Sequence, residues 1–517
     1  MVAWCVIDFE KRANSELGGL DGLGVLANLL LLVICGSSAL LRRVNFLTMI
    51  LIYSVPIQLH AANYSKDNGW PLPEKRVILD LTGDPAYPVK LKVGLVLPPG
   101  PGPFPLVIWN HGSNGRKGTI DEKFVVEEAN AHLNMGVYYF LSRGYAVALP
   151  LLRGFGHSGG SIDRTRCRPD DLGLHAAADI EAVLDQLGKR PEIDARRVVV
   201  AGVSMGGWNS LAVGTLQDAR VAGIISFFGG VRSSPCSDDG ALLVQSTRRF
   251  GSASRVPSLW LYGENDSFFP MPLWQAMHRA YVEQGGKAEV LNFGPYKSDS
   301  HRLLSDGSSV YIFGPSVDKF LNKLGLPSQK LFSDYVPGPP LPSTHYSALD
   351  DIEAVPFLSN ENREDYRRFL KSPSPRVFLI APNKAVSWYS EGFDPLARGL
   401  ATCEALGIEC WPYAYNNDVV WAHSTPAPPP TQFAKIEDAA ALPYVNDAGR
   451  NAYKQFLTLS RPRAFVIAPD GRWAWSASTP DPVAAALALC GKRGPPDCHA
   501  YAVDGAVVWP ESAAITH

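Results

Sequence analysis

The chain has 517 residues, 46% of them hydrophobic and 19% charged, and a formal net charge of -2. That balance describes a globular protein with room for one large core and a second, smaller one. With no basic stripe and no long acidic run, it excludes nucleic acid as a partner and electrostatic attachment to a membrane surface.

The first element in chain order is a hydrophobic leader over residues 1–62. Residues 22–41 (GLGVLANLLLLVICGSSALL) carry no charge, Arg42 and Arg43 follow, and a second apolar run covers 44–62. The first run is about long enough to cross a bilayer. Two readings stay open: a membrane hairpin with the arginine pair on the cytoplasmic side, or a signal peptide that starts near Arg42 and is cleaved near Ala62. Either reading implies membrane contact by the N-terminal segment and an exported body, periplasmic or secreted. Cysteine usage points the same way. Of eight cysteines, Cys5 and Cys35 fall in the leader, and the even count that remains suits an oxidising compartment. No C-x-x-C occurs, so no metal site is expected.

From 75 to 327 apolar strands and helical segments alternate. Strands are predicted at 89–97, 105–109, 145–150, 198–201, 223–228, 257–262 and 288–293, with helices at 170–187 and 271–284 among the segments between them. Short continuous apolar strands separated by helices imply a mostly parallel sheet covered on both faces.

A Pro- and Ser-rich linker follows, and then an internal repeat. Residues 366–421 and 453–509 superpose Tyr366 on Tyr453, Pro382 on Pro469, Cys403 on Cys490, Cys410 on Cys498 and Trp421 on Trp509. The resulting modules span 348–421 and 435–510, separated by the stiff spacer STPAPPPTQ. Each reads as strand, strand, short helix, strand. One disulfide per copy (Cys403 with Cys410, Cys490 with Cys498) would pin helix to strand in a unit too small for a large core. Cys167 and Cys236 are then candidates for a third pair. The ligand of the repeats, if there is one, is not legible. Their tryptophans (Trp388, Trp411, Trp421, Trp473, Trp475, Trp509) could line a binding surface, but the simpler reading is that they fill small cores.

The chemistry centres on VAGVSMGG. The run 198–201 ends in Gly202-Val203-Ser204-Met205-Gly206, a G-x-S-x-G turn from strand to helix, where Gly202 and Gly206 leave room for a sharply turned serine. A serine hydroxyl needs a base, and the base needs an orienting acid. On such a sheet the order is Ser, acid, His. The acid should follow the strand 257–262, where GENDSFFP offers Asp266, with Glu264 as its rival. The base should follow the next strand, where GPYKSDSHRLL offers His301. His278 sits mid-helix and reads as a packing residue. The oxyanion donors would be the amides of Met205, at the helix start, and Ser113, in NHGSNG after the strand 105–109. His111 in the same loop reads as a brace.

At this point residues 75–327 resemble the α/β-hydrolase superfamily, in its dienelactone-hydrolase-like and prolyl-oligopeptidase-like branch of serine esterases and peptidases. The stretches that carry the resemblance are NHGSNG, LPLLRGFGHSGGS, VAGVSMGG, LYGENDSFFP and SHRLL followed by VDKFLNKLGLP. Dienelactone hydrolases themselves carry a cysteine where this chain has Ser204, so their lactone substrate is not carried over. The resemblance implies an α/β-hydrolase fold for 75–327, which the repeat reading extends by two small Cys-paired α+β modules. It also implies a cofactor-free serine hydrolase acting on a small ester or peptide. Cleavage of a carboxylic ester through an acyl-enzyme is the leading expectation, with a peptidase or thioesterase as the same machine on another leaving group. A cell-envelope binding protein working through its repeats is the rival from a different class.

Overall fold

A computed structural model describes residues 70, 71, 73, 75–113, 133–162, 167–232, 236–423 and 428–510. All of them belong to one compact unit, 62–517. The leader lies outside the described residues. Among those described, no helix is long and apolar enough to cross a membrane.

Eight strands form the large sheet: β1 (Lys75–Thr82), β2 (Lys90–Leu97), β3 (Phe104–Asn110), β4 (Ala146–Pro150), β5 (Ile193–Val203), β6 (Val221–Phe227), β7 (Ser258–Tyr262) and β8 (Ala288–Asn292). Their order is β1-β2-β4-β3-β5-β6-β7-β8. β1 and β2, and β2 and β4, pair antiparallel, and the pairs from β4 to β8 are parallel. The expected mostly parallel sheet is therefore present, and this strand order is that of the α/β-hydrolases. The chain runs from β3 outward to β4, then back across β3 to β5. The order reverses there, so a crevice opens beyond the C-terminal ends of these strands.

Burial explains why the central runs are strands. Val198, Val199 and Val200 in β5 are wholly buried, as are Leu106, Val107 and Ile108 in β3. Each such side chain contributes roughly 1.5–3 kcal/mol. The flanking helices are α1 (Met135–Ser142), α2 (Pro169–Leu187), α3 (Met205–Val213), α4 (Asp239–Ala253), α5 (Met271–Glu283) and α6 (Val310–Lys323). α1 is buried on every side, and Asn134 caps it by accepting from the Gly136 amide at 2.9 Å. Gly136 is required there, because a Cβ would sit 1.9 Å from the Trp109 ring. α2 begins with Pro169 and carries Asp170 and Asp171 in its first turn, where the helix dipole favours negative charge. Cys167, just before α2, is bonded to Cys236, just before α4.

The repeats form two further four-stranded sheets. The first contains α7 (Asn360–Lys371), β9 (Arg376–Ile380), β10 (Val386–Ser390), α8 (Pro395–Ala405), β11 (Trp411–Tyr415) and β12 (Asp418–Val419), in strand order β10-β9-β11-β12. The second repeats it as α9 (Asp447–Phe456), β13 (Arg463–Ile467), β14 (Trp473–Ala477), α10 (Pro482–Gly491), β15 (His499–Val503) and β16 (Ala506–Val507). The leading helix and the two-residue closing strand of each are additions to the sequence reading. Side chains alternate across β9: Phe378 and Ile380 join one small core, Val377 and Leu379 the other. Cys403 near the end of α8 is bonded to Cys410 beside β11, and Cys490 of α10 to Cys498 beside β15. Trp421 and Trp509 are buried, and Trp388, Trp411, Trp473 and Trp475 pack half-buried on the same cores.

The duplication reaches single hydrogen bonds. Tyr366 Oη donates to the Leu349 carbonyl at 2.6 Å, and Tyr453 Oη to the Ile436 carbonyl at 2.7 Å. Arg376 Nη1 donates to the carbonyls of Phe369, Leu370 and Ser372, and Arg463 Nη1 to those of Phe456, Leu457 and Leu459. Each arginine thus adds a donor to the carbonyls at the end of a helix.

Candidate active site

Ser204 stands between β5 and α3 with φ 55° and ψ -122°, a backbone region that costs on the order of 1–3 kcal/mol and persists only when its surroundings impose it. Three hydrogen bonds do so: the Ser204 amide to the Phe227 carbonyl at 2.8 Å, and the Gly230 and Trp208 amides to the Ser204 carbonyl at 3.1 and 3.0 Å. The two elbow glycines have distinct reasons. A Cβ on Gly202 would meet the Gly206 carbonyl group at 2.5 Å, and one on Gly206 would meet the Asn110 oxygen at 2.0 Å.

Asp266 follows β7 with its carboxylate fully buried. Oδ1 accepts from the Phe268 and Phe269 amides at 2.8 and 2.9 Å, which leaves Oδ2 to meet His301 Nδ1 at 2.9 Å. That contact fixes Nδ1 as the imidazole's orienting end and directs Nε2 away from the acid. The ring sits among Phe268, Phe228 and Phe269, at centroid separations of 4.6, 5.3 and 5.7 Å. Phe228 belongs to the same 227–230 segment that grips the backbone of Ser204, so the serine and the histidine are referenced to one piece of chain. Glu264 is turned elsewhere: its carboxylate accepts from Asn292 Nδ2 at 3.0 Å on the exposed side of the sheet. His278 packs against Trp260, as a mid-helix residue should.

The loop after β3 runs beside the serine. A Cβ on Gly112 would lie 3.2 Å from Ser204 Cβ, so the backbone passes at contact distance and Ser113 follows directly. Met205 carries the first amide of α3. His111 is the brace of this loop. Nδ1 bonds the Gly112 carbonyl at 2.8 Å, while Nε2 accepts from the Leu152 amide at 3.1 Å. Complete burial outweighs the Gly112 bond and lowers its pKa from 6.5 to about 4, so the ring is neutral and both nitrogens are occupied. A cleft of about 190 Å³ opens beside Met205, lined also by Asn209, Leu152, Arg153 and His175. Neither polar atom of the Asn209 side chain has a hydrogen-bond partner among the described residues.

The acid and histidine loops are stitched together by residues that the sequence reading did not single out. Asn265 accepts from the Tyr296 amide at 2.9 Å and donates to the Lys297 carbonyl at 3.0 Å. Asp299 accepts from the amides of Ser267 and His301 at 3.1 and 3.0 Å and from Ser267 Oγ at 2.8 Å. Burial works against ionisation of Asp299, but these hydrogen bonds win and hold its carboxyl below the usual range. An aspartate two residues before the histidine is a local turn-capping pattern, and that was the only available signal.

Among the described residues no group of side chains could hold a metal ion. The strand order gives residues 75–327 an α/β-hydrolase fold. A family model described as X-Pro dipeptidyl-peptidase (S15 family) matches residues 87–267. No curated protein matches the chain. The acylaminoacyl peptidase of Pyrococcus horikoshii is similar at 16% identity and a TM-score of 0.36, over 50% of this chain and 42% of that one. A puromycin-hydrolyzing peptidase of Mycobacterium tuberculosis is similar at 21% identity and a TM-score of 0.35, over 48% and 40%. An acetyl xylan esterase from Paenibacillus sp. R4 is similar at 19% identity and a TM-score of 0.34, over 51% and 87%. The chain thus spans only about two fifths of the two peptidases.

Proposed function

We propose that the protein is an exported serine hydrolase that cleaves a carboxylic ester through an acyl-enzyme. Ser204 Oγ attacks the carbonyl, His301 takes the proton and returns it to the leaving alcohol, and Asp266 orients the imidazole and stabilises its charged form. The amides of Met205 and Ser113 receive the oxyanion, and water activated by His301 then releases the acid. One observation carries the reading: a buried carboxylate bonded to His301 Nδ1 at the same end of the sheet as a serine held at positive φ. The six cysteines beyond the leader, paired in three disulfides, support the exported part of the proposal.

A peptide substrate is the second reading, favoured by the match of residues 87–267 to a dipeptidyl-peptidase family. The attacking machinery is common to both, and only the leaving group differs. A carbohydrate-binding role for the repeats is weaker, because their tryptophans are committed to module cores. Turnover of a panel of p-nitrophenyl esters and aminoacyl p-nitroanilides, with Ser204→Ala as control, tests the proposal. Ester cleavage abolished in Ser204→Ala supports it, anilide cleavage alone moves the assignment to peptidase, and Ser204-independent turnover contradicts both.

A further inference from the structure

The first repeat touches the hydrolase domain at the loop that carries His301. That loop is closed by an ion pair: Lys297 Nζ lies 2.5 Å from Asp306 Oδ2, with His301 between the two in sequence. The Asp306 carboxylate is 5% exposed, and Tyr296 Oη also donates to its Oδ2 at 2.5 Å. Its other oxygen accepts from the Ser308 amide at 2.9 Å. Lys297 itself stands at φ 47°, a backbone conformation that a lysine does not choose unless it is held.

The closure is fastened from outside. Lys297 Nζ donates a second hydrogen bond, 3.0 Å, to the carbonyl of Ser374 in the turn leading into β9. One residue past Asp306, Gly307 lies against the carbonyl of Phe393, so closely that a Cβ would come within 2.2 Å of that oxygen. Phe393, just before α8, buries its ring in the hydrolase core, 5.3 Å from Trp70 and 5.6 Å from Tyr138. Both ends of the loop, 297 and 306–307, are therefore set by the first module. The second module uses the corresponding face differently. By the repeat alignment Arg461 and Asp504 replace Ser374 and Asn416, and Asp504 meets Tyr346, in the segment leading into the first module, at 3.5 Å. The first module is thus seated on the histidine loop, and the second meets the segment that leads into the first.

We infer that the first repeat module is a working part of the active site, with Lys297 as the positioning residue that transmits its contact to His301. This rests on the reading of His301 as the base. The physical argument is geometric: a base displaced by about 1 Å from its productive position can lose on the order of 100-fold in rate. Asn265 and Asp299 tie this loop to the acid loop, and the first module grips both of its ends, which together hold the base to such a tolerance.

The test measures kcat and KM for a short-chain p-nitrophenyl ester in the full chain, with fold checked by circular dichroism. Lys297→Met should lower kcat about 10- to 100-fold while KM changes little, because the loss is of orientation and not of substrate binding. Lys297→Arg, which keeps a cation and a donor, should recover most of the rate. The strongly downfield proton of the His301–Asp266 hydrogen bond should broaden or shift in Lys297→Met and return in Lys297→Arg. Tyr346→Phe, which loosens the second module's seat only, should leave kcat at the wild-type value. Should Lys297→Met not fold, Phe393→Leu, which keeps a buried apolar side chain, takes its place and must show the same kcat loss at constant KM. Wild-type kcat in folded Lys297→Met, or a loss that Lys297→Arg does not restore, overturns the inference alone, provided Ser204→Ala is inactive. Full activity in Ser204→Ala overturns the triad reading and this inference with it.

Discussion

The hydrolase domain and the repeat pair are held together by different means. The first packs one large core against an eight-stranded sheet, and its functional residues hang from loops that polar bonds pin in unfavourable backbone conformations: Ser204, Phe228 and Lys297 all have positive φ. Each repeat has two small cores, one disulfide and an arginine that closes a helix end. Changes in the hydrolase loops should therefore alter chemistry at nearly constant stability, and changes in the repeats should alter stability first. The first repeat, seated on the histidine loop, is where the two behaviours should meet.

The largest effect belongs to the loops. Asp266→Asn keeps the shape of the site but favours the wrong tautomer of His301, and kcat should fall by about 10⁴-fold. Its melting temperature should stay close to wild type, because the Phe268 and Phe269 amides still find an acceptor. A variant that lost activity only by melting would break the contrast.

Next come the two arginines. Arg376→Met and Arg463→Met each remove a donor from three carbonyls at a helix end, of which those of Phe369 and Phe456 keep a backbone partner, and each should cost about 2–5 kcal/mol in denaturant unfolding of its module. Only Arg376→Met should also reduce ester turnover. Equal effects of the two on turnover would mean that the modules do not differ in their relation to the site.

His111 offers a pH test of the hydrolase scaffold. Its folded pKa of about 4 lies below the unfolded value of 6.5, so on acidification the unfolded chain takes up the proton first. The stability contributed is complete above about pH 6.5, declines as pH falls toward 4 and levels off below that, by about 3 kcal/mol in total. Melting curves between pH 4 and 7 should show this slope in wild type and lose much of it in His111→Gln. An unchanged slope would place the acid sensitivity elsewhere.

The smallest effect is the most symmetrical. Tyr366→Phe and Tyr453→Phe each delete one hydrogen bond to a half-buried carbonyl, and each should cost about 1 kcal/mol. Values that differ severalfold between the two would show that the duplicated bonds no longer carry equal weight.

What was legible in the sequence follows from burial. Strands β2 to β7 announce themselves as apolar runs because the sheet is covered on both faces there, while β8 (AEVLN) lies half-exposed at the far edge. β1 was missed: it lies at the sheet edge, and its short apolar run Val77-Ile78-Leu79 sits among charged residues with Val77 and Ile78 exposed. α1 was missed for the opposite reason: eight residues apolar on every side have no helical period to detect. The leading helices of the repeats, α7 and α9, present chiefly Tyr366 and Phe369, or Ala452, Tyr453 and Phe456, to a small core, and such sparse spacing was read as a repeat signature and not as a helix. At the site, Ser204, Asp266 and His301 could be named from chain order after successive strands. Asn265 and Lys297 could not, because they act by joining loops that are distant in sequence, and Asp299 carried only the turn-capping pattern that many polar turn residues share.

The central claim is that Ser204 is an activated nucleophile, and its most direct test is mass spectrometry of the full-length, disulfide-bonded protein after treatment with a fluorophosphonate. The account predicts a single adduct on Ser204, formed rapidly in wild type, strongly slowed in His301→Ala and absent in Ser204→Ala. Folded protein that takes up no adduct, or carries it on another residue with Ser204 unmodified, would contradict it.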